Sequence, residues 1–507
     1  MSVSVTEIET KYELPGDAEL PSFTSLPQVS GTSKAPLQEL EADYYDTADL
    51  RLIRAGITLR RRRGGEDAGW HLKLPQAADS RLEIRLPLGR TGARVPRELS
   101  ELVRVHTRGM ALGPVARLVT VRQLTILLGE SGESLAEVAA DDVQATVPGE
   151  SARPSRWHEL EVELTGGDRE LLTAADELLR GSGLRRAGRS AKLERALDGR
   201  LPGRPPTPRP LTASTPAGDV VVAYLGRQIR ALTSLDPMVR RDEPDAVHQM
   251  RVASRRLRSS LRGCRGVLRR SAVADVADEL KWLAAVLGEA RDAEVLEQHL
   301  HASLAALPAG QVLGPVDARV QAHFAPLRAG ARTGLLSALD SRRYFLLLDE
   351  LDGLLADPPL RPHAARPAAA VLPGEVRRAA ARTDRRMRHA LHAPAGRDRD
   401  MALHAARKAA KQARYDAEAV TPALGRHASR FATRMKRLQA ILGDHQDAVI
   451  AQQTERELGL AAHQAGENAF TYGLLFEREI CGNDQLLDRA DRAWRKASKA
   501  RYRAWME

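Results

Sequence analysis

The feature that most restricts this chain is that its second half repeats itself. HQMRVASRRLR at His248–Arg258 matches HAARKAAKQAR at His404–Arg414, and LKWLAAVLGEARDAEVL at Leu280–Leu296 matches MKRLQAILGDHQDAVIA at Met435–Ala451. The two offsets differ by one residue, and the second match pairs Lys281 with Lys436, Gly288 with Gly443 and Asp292 with Asp447. Both copies are rich in Ala, Leu and Arg, with apolar residues at helical spacing and almost no strand pattern. Two matched blocks in the same order predict two homologous helical bundles that divide near residue 370.

Ahead of the repeat, Leu201–Pro216 (LPGRPPTPRPLTASTP) is proline-rich and without apolar periodicity, which predicts a semi-rigid linker. Upstream the pattern changes to short alternating runs at Val3–Leu14, Thr58–Arg62, His71–Leu74, Leu82–Leu86, Val115–Leu127, Leu135–Val143 and Trp157–Leu164. Turn residues separate them, as in an antiparallel sheet or barrel. The expected class is therefore α+β and multidomain, consistent with a length of 507 residues. Its expected parts are residues 1–200, a linker at 201–217, and an all-α region at 218–507 with halves 218–370 and 371–507.

Charge follows the same division. Residues 1–200 hold 28 Lys and Arg against 31 Asp and Glu, a net of −3, and residues 201–507 hold 49 against 35, a net of +14. The second region is the one suited to a polyanion.

In the first region, Glu7, Glu9 and Lys11 alternate along one strand and share a face. So do Arg60 with Arg62, Glu83 with Arg85, Glu137 with Asp141, and Glu159 with Glu161 and Glu163. A single strand of this kind reads as a solvated face. Five together, with apolar residues between the carboxylates, suit a barrel whose lumen is charged and whose outside is covered. Carboxylates supply the hard oxygen ligands of Mg2+ or Mn2+, and Arg and Lys neutralise phosphoryl oxygens.

These residues resemble the CYTH, or triphosphate tunnel metalloenzyme, superfamily. E-I-E-T-K at Glu7–Lys11 is similar to its ExExK signature. Y-Y-D-T at Tyr44–Thr47, L-R-R-R at Leu59–Arg62, H-L-K-L at His71–Leu74, Arg122, Asp141-Asp142, H-E-L-E-V-E-L at His158–Leu164 and Lys192 follow in order. The resemblance covers about residues 1–200. It implies an eight-stranded antiparallel tunnel with flanking helices and divalent-metal-dependent hydrolysis of triphosphate-type substrates. It further implies Glu7, Glu9, Glu159 and Glu161 as metal ligands assisted by Asp141. Glu7, Glu9, Lys11 and Lys73 would carry the catalytic step. Lys11, Arg60, Arg62, Lys73, Arg85, Arg122 and Lys192 would grip the phosphates. The family's Ser-Lys pair is interrupted here by Ala191, between Ser190 and Lys192. The choice between Asp141 and Asp142 is open, with strand parity to Glu137 favouring Asp141.

In the second region, His248, Arg251, Arg255 and Arg258 are spaced to share a helix face, and His404, Arg407, Lys411 and Arg414 repeat that spacing. Four like charges along one face repel, and a bound polyanion relieves them. Nucleic acid is disfavoured as that polyanion. Single-strand readers use aromatic platforms, the chain is 4% aromatic, and no helix-turn-helix or zinc-finger pattern occurs. Duplex contacts through phosphates alone stay open.

This half resembles the CHAD domain over roughly residues 218–507, most specifically at His248–Arg258 and in L-G-D-H-Q-D-A at Leu442–Ala448. The resemblance implies binding of inorganic polyphosphate, with His248, Arg251, Arg255, Arg258, Lys281, His404, Arg407, Lys411, Arg414, Lys436 and His445 as contacts. Ala290 stands where the second copy has His445, so the halves need not bind equally.

The leading expectation is a metal-dependent triphosphatase acting on inorganic triphosphate or short polyphosphate, with the basic region as its polyphosphate-binding site. The alternatives are a non-catalytic polyphosphate binder, and a tunnel enzyme acting on an organic triphosphate in the manner of thiamine triphosphatase or adenylate cyclase. Cys264 and Cys481 match no metal spacing, and the N-terminus shows neither a basic nor an apolar leader segment. No run reaches the roughly 18 apolar residues of a membrane span. A cytoplasmic location is expected, with polyphosphate granules as a place of association.

Overall fold

The computed structural model describes residues 3–16, 18–77, 80–89, 92, 94–149, 154–188, 192–201 and 209–507. Ser190, Ala191 and most of the proline-rich segment lie outside the described residues. The chain forms two compact units, Met1–Pro206 and Thr207–Glu507.

The first unit has strands β1 (Val3–Glu13), β2 (Gly31–Lys34), β3 (Gln38–Asp46), β4 (Thr58–Arg63), β5 (Gly69–Ala77), β6 (Ser80–Pro87), β7 (Gly113–Leu128), β8 (Ser134–Thr146), β9 (Ser155–Leu164) and β10 (Arg185–Arg186). Its helices are α1 (Arg51–Arg54), α2 (Arg97–Leu102), α3 (Arg104–Thr107), α4 (Arg169–Gly181) and α5 (Lys192–Ala196). Eight strands follow one another in the order β1-β6-β5-β4-β3-β7-β8-β9, and β9 pairs back to β1, so the sheet closes. Every pairing is antiparallel, with β2 on β7 and β10 on β1 as additions.

The barrel is inside-out in its polarity. Tyr12, Val138, Leu160 and Val162 point outward and pack beneath α4 with Leu171, Ala175 and Leu179. Leu59, Trp70, Leu72 and Ile84 also point outward, against Leu99 and Val103 near α2 and α3. Strand alternation therefore sends their neighbours Glu7, Glu9, Lys11, Arg60, Lys73, Glu83, Asp141, Glu159 and Glu161 into the lumen. One stretch of the lumen is apolar, and Leu193 and Leu197 at α5 pack there on Tyr44, Leu118, Val143 and Trp157.

Strand β3 is the one barrel strand that the alternating runs do not predict. Glu39, Glu41 and Asp43 lower its strand propensity, but Glu41 and Asp43 face arginines across the ladder. Glu41 pairs with Arg63 at 2.8 Å and with Arg117, and Asp43 lies 3.5 Å from Arg63.

The second unit, among the described residues, is helical: α6 (Ala217–Arg240), α7 (Ala246–Gly263), α8 (Ala274–Ala305), α9 (Val316–Leu339), α10 (Arg342–Ala356), α11 (Ala368–His392), α12 (Arg397–Leu424), α13 (Arg426–Gln464) and α14 (Phe470–Ala497). The matched blocks fall on α7 and α12 and on α8 and α13. Helices α7 and α12 pack on each other: Gln412 donates to the Ser259 carbonyl at 3.0 Å, and Arg256 pairs with Glu418 at 2.9 Å.

Leu160 is fully buried between β9 and α4. Leu160→Ala is expected to cost about 2–5 kcal/mol in urea denaturation of the full chain. A surface change at the neighbouring Asp142, which faces outward to Arg156, should stay within about 0.5 kcal/mol.

Candidate functional site

Three carboxylates converge in the lumen. Asp141 stands opposite Glu159 in the β8–β9 ladder and Glu161 follows on the same face, with one oxygen of each within 4.8 Å of the others. All three are buried. Asp142 points away, so Asp141 is the lumenal member of the pair.

Lysine 192, at the start of α5, lies among these carboxylates: its Nζ is 2.9 Å from Asp141, 2.7 Å from Glu159 and 2.5 Å from Glu161. The docking of Leu193 and Leu197 on the apolar stretch is what holds it there. Arg122 donates to both oxygens of Asp141 at 2.7 Å and to Glu161 at 2.8 Å. Lys11, opposite Glu161 in the β1–β9 ladder, pairs with it and lies 3.0 Å from Glu9.

Three negative charges thus meet three positive ones away from water. Burial favours the neutral carboxyl, but Lys11, Lys192 and Arg122 outweigh it and hold Glu161 well below its ordinary value. Burial acts likewise on Asp141, where Lys192 and Arg122 prevail and lower it. Burial opposes the charge on Lys192, yet Asp141, Glu161 and Glu159 raise its pKa well above the usual lysine value.

Glu7 lies outside this trio. It pairs with Lys73 at 2.6 Å and Arg85 at 3.7 Å, and burial raises its pKa despite Lys73. Glu9 is lowered, because Lys11 and Lys73 outweigh its burial. A residue absent from the candidate set, Glu83, anchors this second group. It is fully buried, 3.7 Å from Lys73 and 3.9 Å from Arg60, and it pairs with Arg85 and with His71 Nδ1 at 2.9 Å. Glu163, opposite Glu9, is pushed up to about 7 by burial and by the nearby Glu7 and Glu9.

The remaining wall is basic. A lumenal cavity is lined by Arg60, Arg62, Arg122, Lys192, Tyr44 and Thr120, and no described carboxylate lines it. Arg60 Nη1 donates to the Tyr44 hydroxyl at 3.4 Å. Burial, with Arg60 and Arg122 beside it, depresses the Arg62 pKa to about 9, although its fork also reaches Asp67. Cations here repel one another.

In the helical unit, Arg251 of α7 lies over Gly288 of α8 and pairs with Asp292 at 2.9 Å. Arg407 of α12 lies over Gly443 of α13, with Asp447 at 3.9 Å. The paired positions of the sequence repeat therefore make paired contacts. Arg255 is lowered by burial and by both Arg251 and Arg407, so residues of both copies act on one region. Arg258 is lowered by burial and by Arg262. Arg414 is held by Glu418 at 2.6 Å, Lys411 is half-buried, and Lys281 and Lys436 are exposed.

His248 and His404 are both lowered, first by burial and then by nearby basic groups, Arg291 and Arg251 for the one and Lys408 for the other. His445 is buried 3.4 Å from Asp400, and burial lowers it as well. Arg291 was hidden from the repeat because its matched position is Gln446, the partner of His404.

Residues 6–192 match the CYTH domain family and residues 223–456 match the CHAD domain family. The chain belongs to the proteins that join a CYTH domain to a CHAD domain. It is 38% identical over 510 residues to "Uncharacterized protein Rv2226" of Mycobacterium tuberculosis strain H37Rv, covering 97% of this chain and 96% of that one. Among solved structures, PptA from Streptomyces chartreusis is 21% identical, covers 55% of this chain and all of its own, and has a TM-score of 0.46. The CHAD domain from the plant Ricinus communis is 22% identical over 57% of this chain and 95% of its own, at a TM-score of 0.44. A putative adenylyl cyclase from Hippeastrum, described as having a dominant triphosphatase activity, is 16% identical over 39% of this chain and 98% of its own, at 0.26.

CYTH tunnel proteins use divalent metals, and the CYTH lumen here fits one. Asp141, Glu159 and Glu161 offer three hard oxygen donors close enough to share a small cation. Lys192 Nζ lies among those same carboxylates, so an ammonium and a divalent cation compete for one place.

Lys192→Met keeps the side chain's length and removes its charge. With no added divalent cation it should destabilise the protein by about 3–5 kcal/mol at pH 7, because a buried charge loses its partner. Mn2+ or Mg2+ should restore most of the loss in thermal unfolding. Asp141 and Glu161 are held below their ordinary values in wild type, so their stabilising contribution is present at neutral pH and fades as pH falls through and below the carboxylate range.

Proposed function

We propose that the CYTH domain is a divalent-metal-dependent hydrolase of inorganic triphosphate or short polyphosphate, and that the CHAD domain binds polyphosphate. One observation carries the first part: a cavity lined by Arg60, Arg62, Arg122 and Lys192 adjoins three converging carboxylates. Cations that repel one another in a dry site are stabilised by an anion, and a linear phosphate chain brings several negative charges in a row.

A divalent cation, when bound, would neutralise phosphoryl charge and make a bound water more acidic. Asp141, Glu159 and Glu161 are the proposed holders of that cation; Glu9, which shares Lys11 with Glu161, is the next donor, and Glu7 stays with Lys73 apart from the trio. Arg60 and Arg62 present planar forks to phosphoryl oxygens. Lys73 and Arg85, now paired with Glu7 and Glu83, flank the chain from β5 and β6. Lys11 keeps its charge near the trio, where it orients the phosphoryl group under attack.

Lys192 links the two halves of the site, since it touches all three carboxylates and also lines the cavity. A phosphate in the cavity draws its ammonium away from the carboxylates and vacates the place a cation takes. Cation and triphosphate should therefore bind with positive coupling.

Support for the second part is that Arg251 Nε, Arg258 Nε and Arg407 Nε are buried without an acceptor. Such donors are costly unless an acceptor arrives, and phosphoryl oxygens are strong acceptors for guanidinium.

Turnover is tested with Mg2+ or Mn2+ and triphosphate, long-chain polyphosphate, ATP and thiamine triphosphate. Phosphate release is expected from triphosphate, and Glu159→Gln with Glu161→Gln should lower it by about a hundredfold or more. No turnover of any substrate, with polyphosphate still bound, would make the tunnel a binding module instead.

Replacing Arg251, Arg255, Arg407 and Lys411 by Ala should weaken polyphosphate binding and flatten its salt dependence, since fewer counterions are exchanged. Affinity should also rise as pH falls from 8 to 5.5. His248 and His404 titrate below the usual histidine value in the free protein, and a polyanion raises them, so binding takes up protons. Calorimetry in buffers of different ionisation enthalpy measures that uptake.

A further inference from the structure

We infer that Gly288 and Gly443 are the positioning residues of the CHAD phosphate site, each forming the floor on which one arginine fork, of Arg251 or Arg407, is laid flat. The inference rests on the reading of this domain as a polyphosphate binder.

Glycine inside a helix is less favourable than alanine, so an interior glycine calls for a reason. Neither residue has the positive φ that would require glycine, which leaves space as the reason. A Cβ on Gly288 would stand 3.2 Å from Arg251 Nη2, 3.4 Å from Nε and 3.5 Å from Cζ. A Cβ on Gly443 would stand 3.2 Å from Arg407 Nη2, 3.5 Å from Cζ and 3.6 Å from Nε. At both positions the three nearest atoms belong to one guanidinium. Among the other helical glycines of this unit, Gly330, Gly334, Gly353 and Gly473 meet nothing within 4 Å, Gly226 and Gly374 meet one atom of an arginine four residues on in their own helix, and Gly218, Gly263 and Gly459 meet no arginine; a whole guanidinium from another helix is met at Gly288 and Gly443.

One turn further along each floor helix stands an aspartate, Asp292 or Asp447, beside the same guanidinium. Glycine and aspartate four residues apart therefore make a seat, G-x-x-x-D, that occurs at matched places in α8 and α13. Each seat restrains a long side chain before any ligand is present. Restraining a rotamer-rich side chain in advance removes part of the ordering cost of binding. It also keeps the fork planar against the helix, so that its free edge is the part left for phosphoryl oxygens. Arg255, which feels both seated arginines, lies where the two contributions overlap.

The experiment uses the full chain and inorganic polyphosphate of defined length, titrated calorimetrically at several salt concentrations. Gly288→Ala and Gly443→Ala should each weaken binding about three- to tenfold, and the pair about multiplicatively. Thermal stability should be unchanged or raised, because alanine is the better helix former. The salt slope should stay as in wild type, since no charge is lost. In an Arg251→Ala background, Gly288→Ala should have no further effect on affinity. Arg251→Lys, which keeps the charge and loses the fork, should weaken binding and be equally insensitive to Gly288→Ala.

Normal affinity in both glycine variants, with weakened binding in Arg251→Ala and Arg407→Ala, overturns the seat while leaving the polyphosphate site standing. An undiminished effect of Gly288→Ala in the Arg251→Ala or Arg251→Lys background overturns it too. If Arg251→Ala and Arg407→Ala themselves bind polyphosphate as wild type does, the polyphosphate reading fails and takes the seat with it.

Discussion

The first unit depends on the mutual neutralisation of charges that point into a closed barrel. Asp141, Glu159 and Glu161 are tolerable in a dry lumen because Lys192, Arg122 and Lys11 touch them. An isolated buried carboxylate would be neutral, and paired ones stay ionised. Everything else in the barrel serves that arrangement. The outward faces of the strands carry the apolar core, the helices cover it, and α5 seals the apolar stretch of the lumen while carrying Lys192 into place. The balance is also what makes the site responsive. Its internal ion pairs can be exchanged for a cation on one side and a phosphate on the other, at little net change in buried charge.

The second unit handles charge differently. It gathers basic groups near one another and leaves several donors without acceptors, with Asp292 and Asp447 as modest counterweights. The duplicated sequence achieves this by packing α7 on α12, so that equivalent arginines from the two copies influence the same Arg255. A repeat that merely built two bundles would need matched apolar positions only. Here the matched positions also include the arginine, the glycine beneath it and the aspartate one turn beyond.

Much of this was legible in the chain, for physical reasons that differ by region. Strand alternation has a period of two, so Glu159, Glu161 and Glu163 declare a common face whatever the fold around them. The order of the ExExK-like, arginine and paired-acid elements carried the tunnel. Strand β3 was not legible, because its acidic residues are stabilised by Arg63 and Arg117 on adjacent strands, and sequence does not display that pairing. Glu83 was visible as part of an alternating pair with Arg85 but not as a hub. Its role comes from β5 and β4, which bring His71, Lys73 and Arg60 to it.

By itself, then, the sequence determined that one region is a charged-faced antiparallel barrel and the other a duplicated basic helical array. Periodicity and self-similarity are local properties, and they survive without knowledge of contacts. Only the tertiary structure decided which charges meet. It separated Glu7 from the trio of Asp141, Glu159 and Glu161, set Lys192 at the centre of that trio, and turned Asp142 outward. It also laid Arg251 and Arg407 on their glycines. Ion pairs depend on distances of a few ångströms between residues far apart in the chain, and those distances exist only once the sheet has closed and the helices have packed.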